Sequence, residues 1–169
     1  MRVLVAPDKF KGSLSAIEVC RAVTFGINQY DAQIEVTQIP LADGGEGTLD
    51  ILDHYLDLET VHTEVCDPLQ RPIKAIYKLR GNEVYIEMAR ASGLDLLSEE
   101  ERNCLHTTSL GTGHQIAHAY KRGARRIYLM IGGSATSDGG LGVLQALGII
   151  AHHKEHRLAP IGSSLLDIT

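Results

Sequence analysis

Four segments rich in glycine, hydroxyl or carboxylate groups, each following an extended stretch or preceding a predicted helix, restrict this chain more than any other feature. They are Pro7-Asp8-Lys9-Phe10-Lys11-Gly12-Ser13, Asp43-Gly44-Gly45-Glu46-Gly47-Thr48, Thr107-Thr108-Ser109-Leu110-Gly111-Thr112-Gly113, and Gly132-Gly133-Ser134-Ala135-Thr136-Ser137-Asp138-Gly139-Gly140. Such strand–loop–helix order is the grammar of an α/β fold, where functional groups gather in loops past the strand ends. Glycine lets backbone N–H groups approach an anion, and a helix N-terminus adds a positive dipole.

The stretches between these loops predict the elements. Val3-Leu4-Val5-Ala6 reads as a buried strand stopped by Pro7-Asp8. Ser15 and Glu18 stand at capping-box spacing, and Ala16, Val19, Val23 and Ile27 give the following helix its buried face. Residues 35–39 form a second strand, and Leu49, Leu52 and Leu56 mark a second helix. The pattern then changes. Val61 to Cys66 is extended, residues 73–80 alternate, and Gly81-Asn82 turns the chain into a further strand from Val84 to Met88. Gln115, Ile116, Ala119 and Tyr120 form a helix closed by Lys121, Arg122 and Gly123. Residues 127–131 are a buried strand, Leu144 and Leu147 belong to a last helix, and residues 152–157 form a polar loop. The expected fold class is α/β, with strand–loop–helix units on a mostly parallel sheet and an antiparallel hairpin region. Helices start after residues 13, 46, 112 and 140, and a domain boundary falls near residue 60.

Hydrophobic residues make up 44% of the chain, enough for a core. The net charge of −5 supplies no overall basic field for nucleic acid or an anionic membrane. No apolar run approaches the roughly 18 residues of a membrane span, and the N-terminus lacks a signal-peptide pattern. Cys20, Cys66 and Cys104 form no Cys-x-x-Cys pair, which fits reduced thiols and a cytoplasmic location.

Phosphoryl transfer needs cationic or backbone groups around the phosphates, carboxylates for Mg²⁺, and a group that orients the attacking hydroxyl. Lys9 and Lys11 suit the first task; Asp8, Asp43, Glu46 and Asp138 suit the others. The loop from Gly132 to Gly140 has the composition of an anion cradle, although the P-loop and Rossmann fingerprints are both absent. Each of these residues has a plainer use as a turn, a helix cap or a solvated lysine. His114 and His118, four apart on one helix, lack a third ligand.

The four loops, in this order, resemble those of the type I glycerate kinases. The similarity runs from Val3 to about Asp167, with Cys104, Leu110 and Ser137 standing where the family more often has proline, an aromatic residue and asparagine. The resemblance implies transfer of the ATP γ-phosphoryl group to D-glycerate with Mg²⁺, giving 2-phosphoglycerate rather than 3-phosphoglycerate. It implies catalytic roles for Asp43 and Asp138. It implies substrate or phosphate contacts for Asp8, Lys11, Ser13, Gly44, Gly45, Thr108, Ser109, Gly133, Ser134 and Thr136, with no resident metal ligands. Family members are about twice as long and fold as two α/β domains with the site in the cleft. Residues 1–60 are then expected to be the first part of a Rossmann-like domain, and 61–169 part of an inserted second one. On this expectation, surface left by a missing half promotes self-association. The alternatives are a non-catalytic anion-binding fragment and a kinase for a related small hydroxy acid.

Overall fold

Arg2–Val5 forms β1, which pairs in parallel with β2 (Glu35–Gln38), Arg2 opposite Glu35 and Val5 opposite Gln38. This is seen in a computed structural model that describes residues 1–168. The crossover between the two strands is α1 (Ala16–Tyr30), whose start the expected capping box sets. The Ser15 hydroxyl accepts the Glu18 N–H at 3.3 Å, and the Glu18 carboxylate accepts the Ser15 N–H at 2.8 Å. α1 buries Ala16, Val19 and Cys20, but Val23, expected on the same face, is 42% exposed. A two-stranded sheet is too narrow a floor for more than the first turns of a 15-residue helix. Leu4 and Phe25 are exposed as well.

The second sheet has the order β3 (Glu59–Cys66), β4 (Pro72–Arg80), β5 (Glu83–Glu87), β6 (Arg126–Met130). β3, β4 and β5 run antiparallel, and the Gly81-Asn82 turn sets Arg80 opposite Glu83 as its spacing predicts. β6 joins in parallel beside β5. Among the described residues parallel pairing is confined to β1–β2 and β5–β6, and the larger sheet is mixed. Its crossover carries α3 (Ala89–Ser92) and α4 (Leu110–Lys121). α4 begins three residues before the expected start and ends where Gly123 takes a positive φ of 96°.

Each face of this sheet has its own core. Under α4, Val61, Tyr77, Val84 and Ile86 pack with Ala119 and Ala124. Fully burying a side chain such as Ile86 contributes roughly 1.5–3 kcal/mol. The opposite face holds Leu49, Leu58 and Tyr85, flanked by Leu52 and Leu56, and the first of these lies on α2 (Thr48–Leu56). Lys78 of β4, itself buried, reaches Asp53 of α2 at 2.7 Å. So α2, which the expected division placed with residues 1–60, packs on the second sheet, where the wider apolar face is. The last glycine-rich loop leads into α5 (Leu141–Ala146), packed beside α4. The segment expected to be a polar loop is a small hairpin, β7 (His152–His153) with β8 (His156–Arg157). Among the described residues no helix is long and apolar enough to cross a membrane.

Candidate active site

Three of the four loops singled out by composition converge on a cavity of about 530 Å³. The first contributes Lys9, Lys11 and Gly12, the second Asp43, Gly45 and Glu46, and the fourth Gly132 and Gly133. The far wall is Glu87, Arg90 and Asp95, with apolar residues between them.

Glycine is needed where the second and fourth loops meet. The Gly132 N–H donates to the Gly44 carbonyl at 2.9 Å. A Cβ on Gly132 would lie 2.5 Å from the Gly45 Cα, so only bare backbone fits. A second tie comes from Glu87, at the C-terminal end of β5 and fully buried. Its carboxylate accepts the Gly47 N–H at 3.2 Å and the Leu49 N–H at 3.0 Å. The N-cap of α2 is Gly47, which has no side chain to satisfy these donors, so Glu87 caps the helix from the neighbouring sheet.

These ties set the electrostatics. Asp43 accepts the Gly45 N–H at 2.9 Å. That bond first, and the Lys9 and Lys11 charges after it, hold the Asp43 carboxyl below the usual carboxylate range. Lys9 donates to the Glu46 carbonyl oxygen. Desolvation at the cavity wall, then the Asp95 carboxylate, pushes the Glu46 carboxyl above its ordinary value of 4.5. A raised folded-state value means a contribution to stability that is complete below pH 4.5 and is lost as pH rises through the raised value. Glu46→Gln, which cannot ionise, is therefore expected to melt higher than the parent at neutral pH and to lose that advantage in acid. Thermal melts across this range test it; coincident curves at every pH would remove the Glu46–Asp95 coupling.

Asp138 lies elsewhere. It is 2% exposed and does not line the cavity. One carboxylate oxygen accepts the Ser109 N–H at 2.7 Å, the Ser109 hydroxyl at 2.8 Å and the Gly142 N–H at 3.1 Å; the other accepts the Gly140 N–H at 3.0 Å. The starts of α4 and α5 thus converge on one internal anion. N–H groups expected to cradle a ligand are occupied by the chain's own carboxylate. A Cβ on Gly142 would sit 2.3 Å from the Leu110 nitrogen, which is how closely the two helix starts approach.

The remaining candidates divide between the two places. Gly45 and Gly133 line the cavity, and Gly44 holds Gly132 at its edge. Asp8 accepts the Lys9 N–H at 2.6 Å and lines a smaller cavity of about 150 Å³ beside the start of α1. Ser13 is exposed and donates its N–H to the Phe10 carbonyl at 2.9 Å. Thr108 and Ser109 are buried around Asp138. The Ser134 hydroxyl accepts the Thr136 N–H at 3.2 Å, and the Thr136 hydroxyl donates to the Thr107 carbonyl at 2.9 Å, so both brace the loop that carries Gly133. Glu87, Arg90 and Asp95 escaped sequence reasoning. The available signal was position: Glu87 ends a strand, the level at which α/β sites gather.

The sequence model of the glycerate kinase family matches residues 3–169. The chain belongs to the glycerate kinase family. It is 42% identical to a glycerate kinase of Bacillus cereus over 99% of its own length and 45% of the relative's. It is 43% identical to the glycerate 2-kinase of Escherichia coli, covering 88% of the chain and 39% of that protein. A crystal structure from Salmonella typhimurium, assigned as a glycerate kinase 2, superposes on the whole chain with a TM-score of 0.77 at 41% identity. The match covers 47% of that structure, so this glycerate kinase family chain spans less than half the length of these relatives.

Proposed function

We propose that this protein transfers the γ-phosphoryl group of ATP to a hydroxyl of D-glycerate, as a type I glycerate kinase yielding 2-phosphoglycerate. The observation that carries the reading is an ionised carboxylate, Asp43, held beside Lys9 and Lys11 on the wall of one cavity. The name of the Escherichia coli relative, a glycerate 2-kinase, supports the 2-position.

Phosphoryl transfer asks a protein mainly for positioning and charge. Asp43 orients the attacking hydroxyl and receives its proton. Lys9 and Lys11 hold anionic oxygens, while the bare backbone at Gly45 and Gly133 admits the ligand closely. Mg²⁺ typically takes one or two carboxylates and fills its shell from phosphates and water. A carboxylate held ionised on the cavity wall, Asp43, fits that donor set, with Glu46 or Asp95 as a second. When bound, the ion offsets charge between nucleotide and acceptor. Thr108, Ser109, Ser134, Thr136 and Asp138 act at one remove, holding the loops that shape the cavity, and Asp8 and Ser13 do so for the first loop.

We place the site between two α/β units, the first built on β1–α1–β2 and the second on the mixed sheet, in a cytoplasmic protein. Exposed Leu4, Val23 and Phe25 support burial against further protein, either additional chain of the kind its longer relatives carry or a second copy. ADP release measured with Mg-ATP and D-glycerate tests the function, on this chain and on one extended to the length of its relatives. Glycerate-dependent release is expected from the extended chain, with a 2-phosphate ester in the ³¹P spectrum. Release that ignores D-glycerate and follows a different hydroxy acid would replace the substrate; none with any acceptor would sink the kinase reading.

A further inference from the structure

Arg90 follows β5 on the single turn of α3 and lines the same cavity as Lys9 and Lys11. Two carboxylates fix its guanidinium. Its Nη2 donates to Asp50 at 2.9 Å, and its Nε lies 3.3 Å from the buried Glu87. The Nε is itself buried and makes no hydrogen bond among the described residues. The side chain is 33% exposed, and its Nη1 makes no hydrogen bond among the described residues, which leaves that nitrogen for a ligand.

We propose that Arg90 recognises the carboxylate of the hydroxy-acid substrate. The proposal rests on the kinase reading above and deepens it by assigning the two ends of the chemistry to different cations. A guanidinium offers a planar fork that matches a carboxylate, whereas a lysine is a mobile point charge. Arg90 is already fixed by Glu87 and Asp50, so it loses little freedom when a ligand arrives. The same two carboxylates surround it with negative charge. That environment disfavours a polyphosphate and tolerates a monoanion. Lys11 makes no ion pair or side-chain hydrogen bond among the described residues, and Lys9 is tied only to a carbonyl, so both remain available for the nucleotide.

Calorimetric titration of the chain extended to the length of its relatives separates the possibilities, with D-glycerate, glycerol and Mg-ATP as ligands. Glycerol keeps hydroxyls and lacks the carboxylate. The parent is expected to bind D-glycerate and Mg-ATP and to ignore glycerol. Arg90→Gln and Arg90→Lys are each expected to weaken D-glycerate binding by about 10–100-fold, the size of a lost charged hydrogen bond, and to leave Mg-ATP binding within about twofold. Arg90→Lys keeps a cation beside Glu87 and serves if Arg90→Gln melts early. Unchanged D-glycerate affinity in the variants overturns the proposal. So does a loss that falls on Mg-ATP, or equally on both ligands. A parent that binds Mg-ATP without D-glycerate overturns it while sparing the nucleotide site, and a parent that binds neither sinks the kinase reading with it.

Discussion

Asp138→Ala is expected to destabilise the fold by about 3–5 kcal/mol, because each buried donor left without an acceptor costs roughly 1–3 kcal/mol. The donors are the Ser109 N–H and hydroxyl and the N–H groups of Gly140 and Gly142. At about 2–4 °C per kcal/mol for a chain of this size, the melting temperature should fall by roughly 10 °C. Asp138→Asn is the sharper test. Asparagine caps a helix nearly as well as aspartate, so a simple cap would survive the change. Here one carboxylate oxygen serves Ser109 and Gly142 and the other serves Gly140. The amide offers one oxygen, and its NH₂ must face either the partly buried Gly140 N–H or the buried donors of Ser109 and Gly142. A loss of about 2–3 kcal/mol is expected from that mismatch. Urea melts of both variants decide. Should Asp138→Asn melt with the parent, the carboxylate is not the knot it looks to be, and a direct catalytic role regains its place.

Asp43→Asn should do the opposite: little to the fold and much to the rate. Asp43 is exposed, and its structural partner, the Gly45 N–H, can be served by an amide oxygen. What the substitution removes is the negative charge held beside Lys9 and Lys11. If Asp43 receives the hydroxyl proton, as proposed, kcat falls by about 10²–10⁴-fold, the usual cost of losing a general base. The KM for D-glycerate should move little, since the loss is felt in the transition state. Steady-state kinetics on a family-length enzyme measure both constants. A kcat within a few-fold of the parent would move the proton-accepting role to another cavity carboxylate, with Glu46 and Asp95 next in line.

What the sequence revealed and what it hid divide by range. The Ser15–Glu18 box, the Gly81-Asn82 turn and the Lys121-Arg122-Gly123 stop are local, and each appears where its spacing puts it. The convergence of Lys11, Asp43 and Gly133 was legible because all three sit in loops of distinctive composition. Val23 shows the limit of periodicity, which marks an apolar face without showing whether anything wide enough covers it. Asp138 shows the limit of composition. A carboxylate among glycines looks like a catalyst or a cap, and only the approach of Ser109 from another helix shows what it binds. Glu87 left still less trace, because its partners Gly47 and Leu49 lie about forty residues away.

The parallel placement of β6 beside β5 bears on the order in which the molecule assembles. β3, β4 and β5 are joined by short turns, so the meander closes small loops and forms on local contacts. β6 must return from beyond α4, and only then does Gly132 reach Gly44. Closure of the longer loop is therefore expected to complete the cavity after the meander that frames it. Segments that join last are generally among the first to open, with a free-energy gap below that of global unfolding. A ligand bridging Lys11 on one side and Gly133 on the other would stabilise that final step directly, raising resistance to local opening more than it raises the stability of the meander.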